Sequence, residues 1–137
     1  MRILAIDPGY ERLGIAVLER TGGKDAALFS ECFKTSTKLE FSERLCLIGK
    51  EIKKIIKKWK PQALAIETLY FEKNQKTAMR VAEARGTVIY EAARAGLLIH
   101  EYTPLQVKIA VTGWGRADKK SVMNMVSKLI QLKNKKY

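Results

Sequence analysis

Cysteine and proline are scarce in this 137-residue chain, with two Cys and three Pro, and there is one histidine. Cys32 and Cys46 form no CxxC pair and have no companion histidine spacing, which argues against both a disulfide framework and a zinc site. Two free thiols fit a reducing compartment, and a buried structural role is expected for both. No apolar run approaches the ~18 residues of a membrane span. The opening Met1-Arg2-Ile3-Leu4 has no charged-then-apolar leader, so a soluble, cytoplasmic protein is expected. There is no internal repeat, low-complexity tract or linker. The length and the 47% hydrophobic content suit one domain over residues 1–137.

Acidic residues are the other shortage. Lys and Arg total 26 against 14 for Asp and Glu, a net charge of +12. From Pro104 onward the cations are Lys108, Arg116, Lys119, Lys120, Lys128, Lys133, Lys135 and Lys136, and the single acid is Asp118. More than half of the surplus therefore lies in the last quarter of the chain. A directed basic patch of this kind favours a polyanion, with nucleic acid ahead of an anionic membrane, because binding releases condensed counterions.

What is present reads as alternating strands and helices. Residues 2–6, 13–18 and 26–33 are apolar runs separated by Asp7-Pro8-Gly9 and Thr21-Gly22-Gly23, which predicts three antiparallel strands. Thr37 and Glu40 are spaced as a capping box for a helix with apolar residues at Phe41, Leu45, Ile48, Ile52, Ile55 and Trp59. The intervening Lys53, Lys54, Lys57 and Lys58 read as its solvated face, and Pro61 ends it. Residues 63–66 predict a buried central strand ending at Glu67. A second helix is expected from about Gln75 to Ala95, with Ala78, Ala82, Gly86 and Ala93 allowing close backbone approach. A fifth strand at 97–99 follows, then a Thr103–Gln106 capping box with Pro104 at the first helical position. After Gly113-Trp114-Gly115, Asp118 can cap a last helix carrying Val122, Met125, Val126, Leu129 and Leu132.

Asp7 and Glu67 each close an apolar strand. A carboxylate in such a place is costly to desolvate unless a positive charge offsets it, and hard Mg²⁺ prefers carboxylate oxygens. In a mixed five-stranded sheet of order 3-2-1-4-5, the first and fourth strands are neighbours and the two acids sit side by side.

Five separated segments then point to a family. Ile6-Asp7-Pro8-Gly9 with Leu13-Gly14, Ala65-Ile66-Glu67, Lys73-Asn74, Ala84-Arg85-Gly86 and Val111-Thr112-Gly113-x-Gly115-Arg116-Ala117-Asp118-Lys119 together resemble the RuvC family of Holliday-junction resolvases. The resemblance implies a ribonuclease-H-like α/β fold and a structure-selective endonuclease that nicks four-way junctions in pairs during recombination and repair. It implies that Asp7 and Glu67 hold Mg²⁺, with Mn²⁺ able to substitute. It matches Tyr70 and Phe71 to paired aromatics that press on bases, and Lys108 and Lys119 to lysines facing the cleaved phosphates. Lys73, Asn74, Arg116 and Lys120 extend the DNA-binding set. The helix around Gln75–Ala95 resembles the family's homodimer helix, and a branch-migration motor is a further candidate partner. A different ribonuclease-H-like nuclease acting on hybrids or unbranched DNA is the competing reading, against which the Lys73-Asn74 and Gly115-to-Lys119 segments count.

The sequence departs from the family in one respect. RuvC proteins complete the metal site with a further acidic cluster on a last helix, whereas no Asp, Glu or His follows Asp118 here. The chain is therefore expected to be cut short at its C-terminus. The alternative function is a junction-binding module that is catalytically incomplete.

Overall fold

Three strands at the start of the chain pair as a meander: β1 (Arg2–Pro8), β2 (Arg12–Thr21) and β3 (Lys24–Lys34). The computed structural model describes residues 1–68 and 75–132. Helix α1 (Phe41–Trp59) carries the chain back to β4 (Ala63–Glu67). Helix α2 (Gln75–Arg94) and β5 (Leu98–Tyr102) follow, then α3 (Pro104–Thr112), α4 (Lys119–Leu129) and β6 (Ile130–Leu132). The sheet runs β5-β4-β1-β2-β3-β6, so the expected 3-2-1-4-5 order is present, with one short strand added at its β3 edge.

The period of two along each strand sorts the side chains by face. Leu4 and Ile6 of β1, Leu13, Ile15 and Val17 of β2, and Leu64 and Ile66 of β4 all point to one side and are almost wholly buried. Against them pack Ile48, Ile52 and Ile55 from α1 and Ala84, Val88 and Ala92 from α2. The steps of four and three residues that made α1 amphipathic thus become one wall of the core. Removing a fully enclosed side chain there, such as Ile52, costs about 2–5 kcal/mol. The opposite side of the sheet carries Ala5, Asp7, Gly14, Ala16, Ser30, Cys32, Ala65 and Glu67, and it stays open.

Four local expectations change. The helix α1 starts at Phe41, and its capping interaction is Glu43 accepting from the Glu40 N–H at 3.2 Å. The same reciprocal pattern sits three residues beyond the Thr37–Glu40 spacing, because Ser36 to Leu39 make a turn first. Strand β5 reaches Tyr102, since its pairing with β4 continues to Glu67. Helix α4 stops at Leu129, where Ile130 adopts extended dihedrals, so Leu132 lies in β6 and not in the helix. Pairing of 130–132 with Asp25–Ala27 satisfies the otherwise open edge of β3. Finally, Cys32 and Cys46 are both free and exposed. Cys32 pairs with Gly14 on the open side of the sheet, and Cys46 lies off the buried stripe of α1.

One polar side chain intrudes on the core face. Glu31 pairs with Ile15, and Phe29 and Phe33 flank it on that side of β3. Its Oε1 is buried with no hydrogen-bond partner, and across from it α1 presents Glu51, which is bridged to Lys54 at 3.6 Å. Burial, then the hydrogen bond and repulsion from Glu51, push the Glu31 carboxyl up to about 7, with Lys54 opposing. The folded chain therefore keeps a proton there that the unfolded chain has lost. Its stabilising contribution is complete below the ordinary glutamate value and disappears as pH rises through about 7. Glu31→Gln is expected to raise Tm relative to the parent at pH 8 and to change it little at pH 5. Thermal scans across that range in which the two proteins keep a constant gap would contradict this.

Candidate active site

Asp7 and Glu67 come from strands far apart in sequence. Strands β1 and β4 run parallel with Ile3 opposite Ala63 and Ile6 opposite Ile66. One residue further on, each strand delivers its acid to the open side of the sheet. Asp7 is exposed and Glu67 is partly buried. Burial is the main influence on Glu67, followed by its hydrogen bond to Asp7 and the Asp7 charge. Together they push its carboxyl up to about 7, against the pull of Lys108. Without a cation the two carboxyls thus sit close enough to share a proton.

The surroundings make room for this pair. Gly14 lies opposite Asp7 in the β1–β2 ladder, and a Cβ placed there would come 3.3 Å from the Asp7 Cβ. Ala5, Gly14, Ala16, Ala65 and Ser30 floor a trough of about 710 Å³, bordered by Tyr102 and by Val107 of α3. Small side chains keep the floor low, so a bulky ligand can reach the acids.

Two arginines brace the strand ends. The Arg85 Nε donates to the Glu67 carbonyl at 3.1 Å, and its guanidinium also pairs with Glu101 on β5. Arg44, only 3% exposed, donates to the Thr35 hydroxyl at 2.9 Å and to the Tyr10 carbonyl at 2.8 Å. It lies against the Tyr10 and Phe41 rings as well. It therefore ties the β1–β2 turn that follows Asp7 to the first turn of α1. Sequence reasoning gave Arg85 no role beyond its motif and passed over Arg44 and Tyr102. For Arg44 the available signal was a lone cation at a position of α1 adjoining its apolar stripe.

The structure gathers part of the expected site. Asp7, Glu67 and Lys108 come together, Lys108 being half-buried on α3 and within electrostatic reach of Glu67. Arg116, Lys119 and Lys120 are exposed, between α3 and the first turn of α4, with no ion pair among the described residues. Asp118 caps α4 by accepting from the Ser121 N–H at 2.8 Å, so its carboxylate serves the helix. His100 is exposed on β5, opposite Ala65. Tyr70, Phe71, Lys73 and Asn74 lie outside the described residues.

The sheet order and the acids at neighbouring strand ends define a ribonuclease-H-like domain. Residues 3–137 match the family described as crossover junction endodeoxyribonuclease RuvC. A RuvC relative from Thermosipho melanesiensis is 43% identical over 132 residues, covering 96% of this chain and 84% of its own. The structure of Thermus thermophilus RuvC in complex with a Holliday junction substrate superposes with a TM-score of 0.92 at 33% identity. That match covers all of this chain and 84% of the other. A yeast mitochondrial Holliday junction resolvase shares the fold alone, with a TM-score of 0.73 at 12% identity over 98% of this chain and 65% of its own. The chain belongs to the RuvC family.

Asp7→Asn is expected to lower the Glu67 pKa from about 7 while leaving it above the ordinary glutamate value. The charge and hydrogen-bonding influence of Asp7 is lost, but burial, the larger cause, remains. A carboxyl-detected NMR titration of the metal-free protein measures it, and an unmoved Glu67 would show that the two acids do not interact.

Proposed function

We propose that this chain is a structure-selective DNA endonuclease that binds four-way junctions and resolves them by paired, Mg²⁺-dependent nicks during recombination and repair. The observation that carries this reading is the Asp7–Glu67 pair beside Lys108, on the open face of a RuvC-family sheet. The donor chemistry fits a divalent cation. Two hard carboxylate oxygen sets at one edge repel each other, and a doubly charged ion relieves that repulsion where a shared proton is lost as pH rises through about 7. Asp7 and Glu67 would hold the Mg²⁺, which would supply water activation and stabilisation of the departing oxygen of a phosphodiester.

The chain's own groups do the rest. Lys108 offsets phosphate charge next to the acids. Arg116, Lys119 and Lys120 grip the backbone, a contribution that weakens as salt rises. Tyr70 and Phe71 press on the bases near the branch, and Lys73 and Asn74 complete the DNA-binding set. Arg85 keeps Glu67 in place through its own carbonyl. A junction has two equivalent strands to cut, which suits a two-fold homodimer. Helix α2 supports one, since Met79, Ala82, Gly86, Tyr90 and Ala93 lie exposed along it while Ala78, Val81, Ala84, Val88 and Ala92 face the core. Small residues between two large apolar ones allow two such helices to approach closely.

A second reading is a junction-binding module that cuts slowly or not at all. Its support is that no group of three or more His, Cys, Asp or Glu residues gathers to hold a metal among the described residues. Two carboxylates by themselves bind Mg²⁺ weakly.

A synthetic four-way junction with Mg²⁺ separates the readings. The enzyme reading expects paired nicks, and Asp7→Asn should slow them by more than about 100-fold, since even outer-shell partners of a metal cost 10–100-fold. Junction binding without any Asp7-dependent cutting would favour the module. Equal affinity for junction and linear duplex at one fixed salt concentration would defeat both.

The dimer has its own test. A Cβ at Gly86 meets nothing within 4 Å, so Gly86→Arg should leave the monomer folded and shift sedimentation equilibrium from dimer to monomer. An unchanged mass would place the subunit contact elsewhere.

A further inference from the structure

Trp114 is 61% exposed, although tryptophan is on average a well-buried residue. Its backbone is fastened on both sides. Gly113 takes the left-handed conformation (φ 77°) that closes α3, and its N–H donates to the Ile109 carbonyl at 2.8 Å. The Thr112 hydroxyl accepts from the Trp114 N–H at 3.1 Å and can donate to the Lys108 carbonyl at 2.7 Å. The Trp114 carbonyl accepts from Ala117, itself 2% exposed, at 3.2 Å. Gly115 is seated against Leu105 and Ile109, where a Cβ would touch Ile109 and displace the end of the Leu105 side chain. A loop fastened by hydrogen bonds to its backbone therefore presents the indole to solvent.

Its electrostatic setting is one-sided. Arg116, Lys119 and Lys120 are exposed without ion pairs among the described residues, while the nearby Asp118 carboxylate is engaged in capping α4. On α3, whose C-terminal cap is Gly113, Lys108 lies within electrostatic reach of Glu67. An exposed aromatic on a hydrogen-bonded loop, neighboured in sequence by cations without ion pairs among the described residues, is the composition of a stacking platform for exposed bases: the cations track phosphates and the ring covers a base face.

We infer that Trp114 is a base-stacking contact that favours branched DNA over duplex, an inference that rests on the junction-binding reading above. In an intact duplex both faces of nearly every base are covered by neighbours, so the indole finds no ring to stack on. At a branch point bases are uncovered. Trp114 thus adds a term that is specific to branching and insensitive to salt, beside the phosphate contacts that any DNA can make.

The test compares Trp114→Ala and Trp114→Phe with the parent on a four-way junction and on linear duplex, at fixed salt and without divalent metal to prevent cutting. Stacking of one base corresponds to about a 5- to 150-fold change in affinity. Trp114→Ala should lose junction affinity by a factor in that range and duplex affinity by less than about twofold. Trp114→Phe should recover most of the loss. The slope of log affinity against log salt should stay at the parent value for Trp114→Ala, whereas Lys119→Ala should reduce it by about 0.9. The chain has two tryptophans, so Trp59→Phe leaves Trp114 as the only indole. Its emission should be quenched by saturating junction and not by duplex.

Equal losses on junction and duplex, unchanged junction affinity, or unquenched emission in the bound state would overturn the assignment while leaving junction binding intact. A parent protein with no preference for junctions would remove the underlying reading and this inference together.

Discussion

Parallel pairing of β1 with β4 is the contact on which the rest of the molecule depends. It joins residues about 60 positions apart, and its register carries Asp7 and Glu67 to the same edge on the same side of the sheet. A slip of one residue would turn either acid into the core. What prevents that slip is the reverse side of the same strands, where Leu4, Ile6, Leu64 and Ile66 are enclosed by α1 and α2. The hydrophobic core therefore holds two mutually repelling carboxyls in place. Arg85 and Arg44 add local restraint at the two strand ends, through backbone carbonyls and without neutralising either acid.

Two carboxyl pairs in this fold feel nearly the same physics and serve different ends. Glu31–Glu51 and Asp7–Glu67 are each dominated by desolvation, reinforced by a second acid and moderated by a lysine. Glu31 lies on the core side of β3, between two phenylalanines and across from Glu51 of α1. Glu67 faces an open trough floored by alanine, glycine and serine. A raised carboxyl pKa thus marks burial in both places, and the side of the sheet on which each pair sits is what separates them.

The α3–α4 unit supplies the complementary charge. Helix α3 has no fully buried residue, but its capping box and proline fix its start, and Gly113 fixes its end. That places Lys108 near Glu67 and sends Arg116, Lys119 and Lys120 outward. A positive surface is thereby set beside a negative edge. On the proposed reading, such a surface would draw in DNA and leave the acids free for metal.

By itself the sequence determined the strand and helix order, the amphipathic face of α1, the caps at Thr103 and Asp118, and the identity of the two strand-end acids. Each of these depends on spacing within one segment, which periodicity and local hydrogen bonding express directly. The glycine-flanked segment before Lys119 was legible for the same reason. Tertiary structure decided the matters that depend on partners distant in sequence. Residues 130–132 leave the helix because β3 offers an unpaired edge. The first helix begins at Phe41 because a turn takes up Ser36 to Leu39. Cys32 and Cys46 are exposed because neither lies on its element's core face. Arg44 matters because it reaches back to Tyr10, and Glu67 holds a proton near neutrality because the fold buries it and stands Asp7 beside it. Pattern along a chain gives the direction of a side chain, but its energy depends on what it meets there, and that is a property of the packed sheet.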